Sequence, residues 1–134
     1  MIEGVKAVIF DFDLTLVDSS PGFDACHDFA ARSIGLTPPP LEAVRRTIGT
    51  PLPIAVPMLY GDAVDGRVDE YVLIYQAKAD EVMTELTVIL PGVAETLRKL
   101  HQAGLPLAIV SQKLRYRVED VLQRESIGEF FTVV

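Results

Sequence analysis

The sequence predicts an α/β fold: a Rossmann-like parallel sheet with crossover helices, interrupted after its first strand by a helical insertion. Three observations carry this. Ala7-Val8-Ile9-Phe10 and Leu105 to Val110 are continuous apolar runs of the kind found in strands buried on both faces. Helical apolar spacing separates them and follows the second. The chain between Asp11 and Leu105 far exceeds the ~30 or more residues of a simple strand–helix–strand unit, and an inserted helical body is the economical explanation.

The elements follow in order. Asp18, Ser19 and Ser20 ahead of Pro21 form a helix start, with cap candidates and a first-turn proline. Phe23, Cys26, Ala30 and Ile34 keep helical spacing up to Gly35, and Thr37 to Pro40 reads as a loop. A short helix is expected over Leu41 to Thr47, stopped near Gly49. Pro51 to Pro57 holds three prolines and is expected not to form one regular helix. Val68, Tyr71, Val72, Tyr75, Ala79, Val82 and Leu86 make an apolar stripe in which both tyrosines are read as core. Pro91-Gly92 opens a helix with Val93, Leu97 and Leu100 on one face and Gly104 beyond its end. Leu114, Val118, Val121 and Leu122 mark another helix, and Phe130 to Val134 reads as a third strand. The division expected is a core of residues 1–21 and 87–134, with an insertion over 22–86.

Composition narrows the function classes. The 134 residues are 49% hydrophobic and 23% charged, which suits a folded core. A net charge of −7 argues against nucleic-acid or anionic-membrane partners. No run approaches the ~18 apolar residues of a membrane span, and the start lacks a basic region followed by an apolar one. One cysteine, Cys26, fits a reduced, cytoplasmic setting.

The chemistry concentrates in Asp11-Phe12-Asp13-Leu14-Thr15, directly after the first apolar strand. That is the carboxyl end of a strand, where open α/β sheets bind ligands. One carboxylate can attack phosphorus and form an aspartyl phosphate. A second, two residues on, can protonate the leaving alkoxide and then deprotonate water. Two like charges would repel a phosphate, so a Mg²⁺ ion shared by Asp11 and a neighbouring backbone carbonyl is expected, with the metal site assigned to Asp11 and Asp13. The plainer reading is a turn in which Asp13 caps and Thr15 bonds local backbone. Ser111 ends the second apolar strand, so a parallel pairing would bring it to the same sheet edge as Asp11.

The run VIFDFDLTLVDSS resembles the first signature of the haloacid dehalogenase superfamily, and most nearly its phosphoglycolate-phosphatase-like branch, which carries its cap after the first strand. The likeness continues through IGTPL at Ile48 to Leu52, LPGVAETLRKLHQAG at Leu90 to Gly104 and LAIVSQK at Leu107 to Lys113. The resemblance implies Asp11 as nucleophile, Asp13 as general acid/base and Ser111 as the hydroxyl holding the phosphoryl group. Leu14, standing where the family commonly has Gly, and Thr15 would meet phosphate. Thr50 falls in the segment resembling a substrate-facing cap loop. Asp13 favours phosphoryl transfer over dehalogenation, since true haloacid dehalogenases lack this second aspartate.

Two family signatures do not appear before Val134: a later Lys and a later acidic pair that completes the metal site. The sequence therefore reads as truncated at its C-terminus. Lys113, two residues past Ser111, is the substitute phosphate contact, or else a peripheral or solvated lysine. Without further strands the first strand would be an exposed apolar edge, a route to a homo-oligomer. The expected activity is Mg²⁺-dependent hydrolysis of a small phosphorylated metabolite. A phosphosugar mutase and an inactive, self-associating fragment are the alternatives. A phosphoacceptor signalling domain fits less well, because its acidic groups normally come from different strands and it has no helical insertion.

Overall fold

In the computed structural model, which describes residues 3–134, the first apolar run becomes β1 (Val8–Phe10). The second becomes β4 (Leu107–Ile109), three residues long like β1. They pair in parallel, with Val8 opposite Leu107, Ile9 opposite Ala108 and Phe10 opposite Ile109. Side chains alternate across a pleated sheet. Val8, Phe10, Leu107 and Ile109 therefore share one face and pack in a core with Phe12, Leu97, Val118, Val121 and Leu122. The other face carries Ile9, 67% exposed, and Val133, 61% exposed. Parallel sheets are ordinarily covered on both faces.

The helices against this core follow from their termini. Gly92 takes the left-handed conformation (φ 81°) that turns the chain into α5 (Val93–Gln102), and Gly104 (φ 78°) turns it out again. Leu97 is the buried residue of α5, and Val118, Val121 and Leu122 are buried on α6 (Arg115–Arg124). Leu114 precedes α6 and is exposed instead of joining that face.

Two local expectations need correction, and one element has no counterpart among them. Phe130 to Val134 is not a strand. A 3₁₀ turn over Gly128–Phe130 consumes its start, and only Val133 bridges to Ala108, in parallel. Two hydrogen bonds hold that segment beside β4: Ile109 N–H to Val133 O at 3.0 Å and Thr132 N–H to Leu107 O at 2.8 Å. Pro51 to Pro57 does enter a helix, α3 (Leu52–Tyr60). Pro51 is its N-cap and Pro53 lies in the first turn, where an N–H has no helical partner anyway, so only Pro57 forgoes a bond. Finally, a two-residue antiparallel ribbon, β2 (Val17–Asp18) with β3 (Val88–Ile89), had no sequence signal.

The chain divides at this ribbon. One compact unit runs to Asp18 and resumes at Val88–Val134; the other is Ser19–Thr87. The second unit is helical: α1 (Ser20–Ser33), α2 (Leu41–Thr47), α3 and α4 (Val68–Val82). Its core joins Cys26, Ala30, Ala31 and Ile34 of the α1 segment to Tyr71, Tyr75, Ala79 and Met83 of the α4 segment; Ala31 and Met83 join it from outside the two apolar stripes, and Val72 and Leu86 of the second stripe are not among its residues. Among the described residues no helix is long and apolar enough to cross a membrane.

His27, which the apolar pattern of α1 did not single out, is buried in this second core. Its Nδ1 lies 2.7 Å from the Tyr71 hydroxyl, which is 3.2 Å from the Tyr60 hydroxyl. Burial lowers the His27 pKa from 6.5 to about 4 and pushes that of the Tyr71 hydroxyl up, so both are neutral at pH 7. The unfolded chain binds a proton below pH 6.5 that the folded chain refuses until about pH 4. Stability is therefore full above pH 6.5, falls as pH drops and levels off near 4, with a total loss of about 3 kcal/mol. Urea unfolding should show wild type losing about 2–3 kcal/mol more than His27→Gln between about pH 7.5 and 4.5. Parallel losses in the two proteins would contradict this.

Candidate active site

The parallel register fixes where the candidate residues lie. Asp11 follows Phe10, the last residue of β1, and Ser111 stands two beyond Ile109, the last residue of β4. Phe10 and Ile109 are partners, and the Val110 N–H donates to Phe10 O at 2.9 Å, so both strands end at one sheet edge. That edge is the carboxyl end of a parallel pair, the side on which such sheets bind ligands.

Each side chain is set by a local turn. Asp11 is exposed, and its Oδ1 accepts the Phe12 N–H at 2.6 Å. Phe12 is fully buried in the core and anchors the segment. Its carbonyl oxygen accepts N–H groups from Thr15, Leu16 and Val17, at 3.2, 2.9 and 3.3 Å. The chain thus folds into a tight turn that presents Asp13, Leu14 and Thr15. Leu14 takes the left-handed conformation (φ 61°), is half exposed, and gives its N–H to Val17 O at 2.7 Å. Glycine enters that conformation without the roughly 1–2 kcal/mol that an L-side chain costs. Thr15 is exposed at the tip of the turn. On the other strand, Ser111 Oγ accepts the Lys113 N–H at 3.1 Å, a turn that leads into α6.

Asp13 and Lys113 meet. Lys113 Nζ lies 3.1 Å from Asp13 Oδ1, and the two side chains are only 6% and 9% exposed. Of the sequence readings of Lys113, a phosphate contact or else a peripheral or solvated lysine, neither includes this pairing with Asp13, and the side chain is not solvated. A signal for it existed. Asp13 stands two residues beyond Asp11, and Lys113 two beyond Ser111, on strands that end together.

Thr50 lies in the helical unit, in the turn after α2, with its N–H on Thr47 O at 2.9 Å. Glu119 and Asp120 sit within α6, both exposed, and Glu119 pairs with Arg115 at 2.8 Å. Among the described residues no group of three His, Cys, Asp or Glu side chains is placed to hold a metal ion.

The sequence profile of the haloacid dehalogenase-like hydrolases matches residues 8–134. The chain is 37% identical over 131 residues to a phosphoglycolate phosphatase of Pseudomonas fluorescens, covering 94% of this chain and 48% of that one. A phosphoglycolate phosphatase of Photobacterium profundum is 31% identical, with 98% of this chain and 61% of that one covered. The chain thus spans about half to three-fifths of the length of these curated relatives. Among solved structures, a Bacteroides fragilis protein assigned to the haloacid dehalogenase-like hydrolases superposes with a TM-score of 0.88 at 29% identity. That superposition covers 96% of this chain and 61% of the other. With the profile running from β1 through the aspartate-bearing turn to Val134, this chain belongs to the haloacid dehalogenase-like hydrolase family.

Proposed function

We infer that the complete protein is a phosphatase acting on a small phosphorylated metabolite through an aspartyl-phosphate intermediate. The observation that carries this is the common edge of β1 and β4, from which Asp11, Asp13 and Ser111 all emerge. Relatives named phosphoglycolate phosphatases support the reaction class and make a two-carbon phosphate monoester the first substrate to test. In the first step an Asp11 carboxylate oxygen forms a bond to phosphorus while the P–O bond to the alkoxide breaks and Asp13 gives that alkoxide a proton. In the second, water attacks phosphorus as Asp13 takes its proton, and the Asp11 carboxylate and inorganic phosphate separate. The Ser111 hydroxyl is suited to donate to a phosphoryl oxygen during both, and the exposed backbone turn at Leu14 and Thr15 to meet the others.

The donors at this edge are carboxylate and carbonyl oxygens, the chemistry that Mg²⁺ prefers, and Mg²⁺ commonly binds through one or two carboxylates with water completing its shell. Asp11 would hold the ion with a backbone carbonyl near Asp13, whose own carboxylate lies on Lys113. When bound, the ion supplies positive charge against the phosphate. The buried Cys26 and the acidic charge of the chain suit a cytoplasmic enzyme.

The test is incubation of the complete protein with 2-phosphoglycolate and, separately, a hexose phosphate, each with Mg²⁺ and with chelator. Free phosphate that disappears with chelator is the expected result. An isomerised sugar phosphate without phosphate release would make the protein a mutase, and no turnover of any phosphate ester would remove the reading.

A further inference from the structure

We propose that Lys113 is a positioning residue for Asp13, holding the carboxyl group that carries the proton to the leaving alkoxide. The inference rests on the phosphatase reading above and names a residue for its first step. Lysine is almost never buried unless paired, and the Lys113 side chain is 6% exposed with Asp13 Oδ1 at 3.1 Å. The contact joins two separate turns. Ion pairs such as Arg32–Asp28 and Lys99–Glu95 instead link helix neighbours four residues apart on exposed faces. Both backbones at the Asp13–Lys113 contact are fixed as well: the Leu14 N–H bonds to Val17 O, and the Lys113 N–H bonds to Ser111 Oγ.

A general acid works within about 2.6–3.2 Å of the oxygen it protonates, or through one water. Asp13 sits in a turn, and two side-chain torsions decide where its carboxyl points. An ammonium 3.1 Å from Oδ1 of a largely buried side chain restrains the rotation of that carboxyl group and leaves Oδ2 as the oxygen assigned to the proton. Asp13 enters the first step carrying the proton on Oδ2 and gives it to the alkoxide oxygen as the P–O bond breaks, which leaves the carboxylate that the Lys113 ammonium stabilises. In the second step Oδ2 takes a proton from the attacking water, which restores the carboxyl group. A lysine that served phosphate alone would have no need of a buried carboxylate partner.

The two roles separate by leaving group. A p-nitrophenolate leaves phosphorus without help from an acid, whereas an alkoxide needs the proton. The measurement is kcat/KM of the complete protein, with Mg²⁺, on 2-phosphoglycolate and on p-nitrophenyl phosphate, for wild type, Lys113→Met and Lys113→Arg. This ratio reports steps only up to formation of the aspartyl phosphate, so slow hydrolysis of the intermediate does not mask the result. Lys113→Met should lose about 10²-fold or more on the alkyl ester, within the range general acids contribute, and less than about tenfold on the aryl ester. Lys113→Arg, which keeps a cationic donor, should recover part of the alkyl rate. Should Lys113→Met not fold, Lys113→Gln and Lys113→Arg carry the same comparison. Equal losses on both esters with a raised KM would make Lys113 a phosphate contact and overturn the proposal, as would wild-type rates on both. A wild-type protein inert toward both esters would remove the phosphatase reading itself.

Discussion

Asp11→Asn is expected to lower phosphate release by the complete protein about 10⁴-fold or more, the scale seen when a covalent nucleophile is removed. The substitution is nearly isosteric. An amide oxygen can still accept the Phe12 N–H that now bonds to Asp11 Oδ1 at 2.6 Å, so the turn should survive. What is lost is the anionic oxygen. The amide lone pairs are delocalised and the group is uncharged, so it neither attacks phosphorus nor binds a hard cation well. Steady-state hydrolysis checks this, with thermal unfolding as a control for folding. Turnover within tenfold of wild type would exclude a covalent role for Asp11.

The second large effect concerns the 134-residue chain as a separate polypeptide: it should be a feeble catalyst and should self-associate. Apolar residues stand exposed on one face of its small sheet, Ile9 and Val133 on either side of the half-buried Ala108, with Val110 also 67% exposed. β4 lies between β1 and the Val133 segment, so β1 is the edge strand of the described sheet. An uncovered apolar face and an open edge both recruit partners. For catalysis, the resemblance calls for a further Lys and a later acidic pair, and the described residues hold no metal-binding group of three. Loss of one well-placed electrostatic group typically costs about 10²–10³ in rate. Light scattering on a sizing column, with a phosphatase assay on the same fractions, tests both halves. A monomer that matches the turnover of the complete protein would contradict them.

Much of this was legible in the sequence because the signals were strong and local. The apolar runs that became β1 and β4 end at Asp11 and near Ser111, and parallel pairing then requires those residues to share an edge. Gly92 and Gly104 marked the ends of α5 because their positive φ values disfavour residues with a Cβ. What stayed hidden depended on tertiary context. The β2–β3 ribbon is two residues per strand and has no periodicity to detect. Three prolines in seven residues argue against a helix by composition, yet two of the three around α3 sit where a helix does not use their N–H. Phe130 to Val134 has strand composition, but its first residue is taken by a 3₁₀ turn and a single bridge follows. His27 carries no signal in the apolar spacing of α1, and only the arrival of Tyr71 from α4 makes it a buried partner. Lys113 likewise gained its meaning from a residue a hundred positions away.

The central claim is that Asp11 carries the phosphoryl group, and chemical trapping tests it most directly. The complete protein is mixed with substrate and Mg²⁺, quenched in acid during turnover and treated with borohydride, which reduces an acyl phosphate to the alcohol but leaves free carboxylates intact. Peptide mass spectrometry should then find homoserine in place of aspartate at position 11, and only in samples that received substrate. Active turnover with Asp11 unmodified, or with the reduced residue at another carboxylate, would contradict the account.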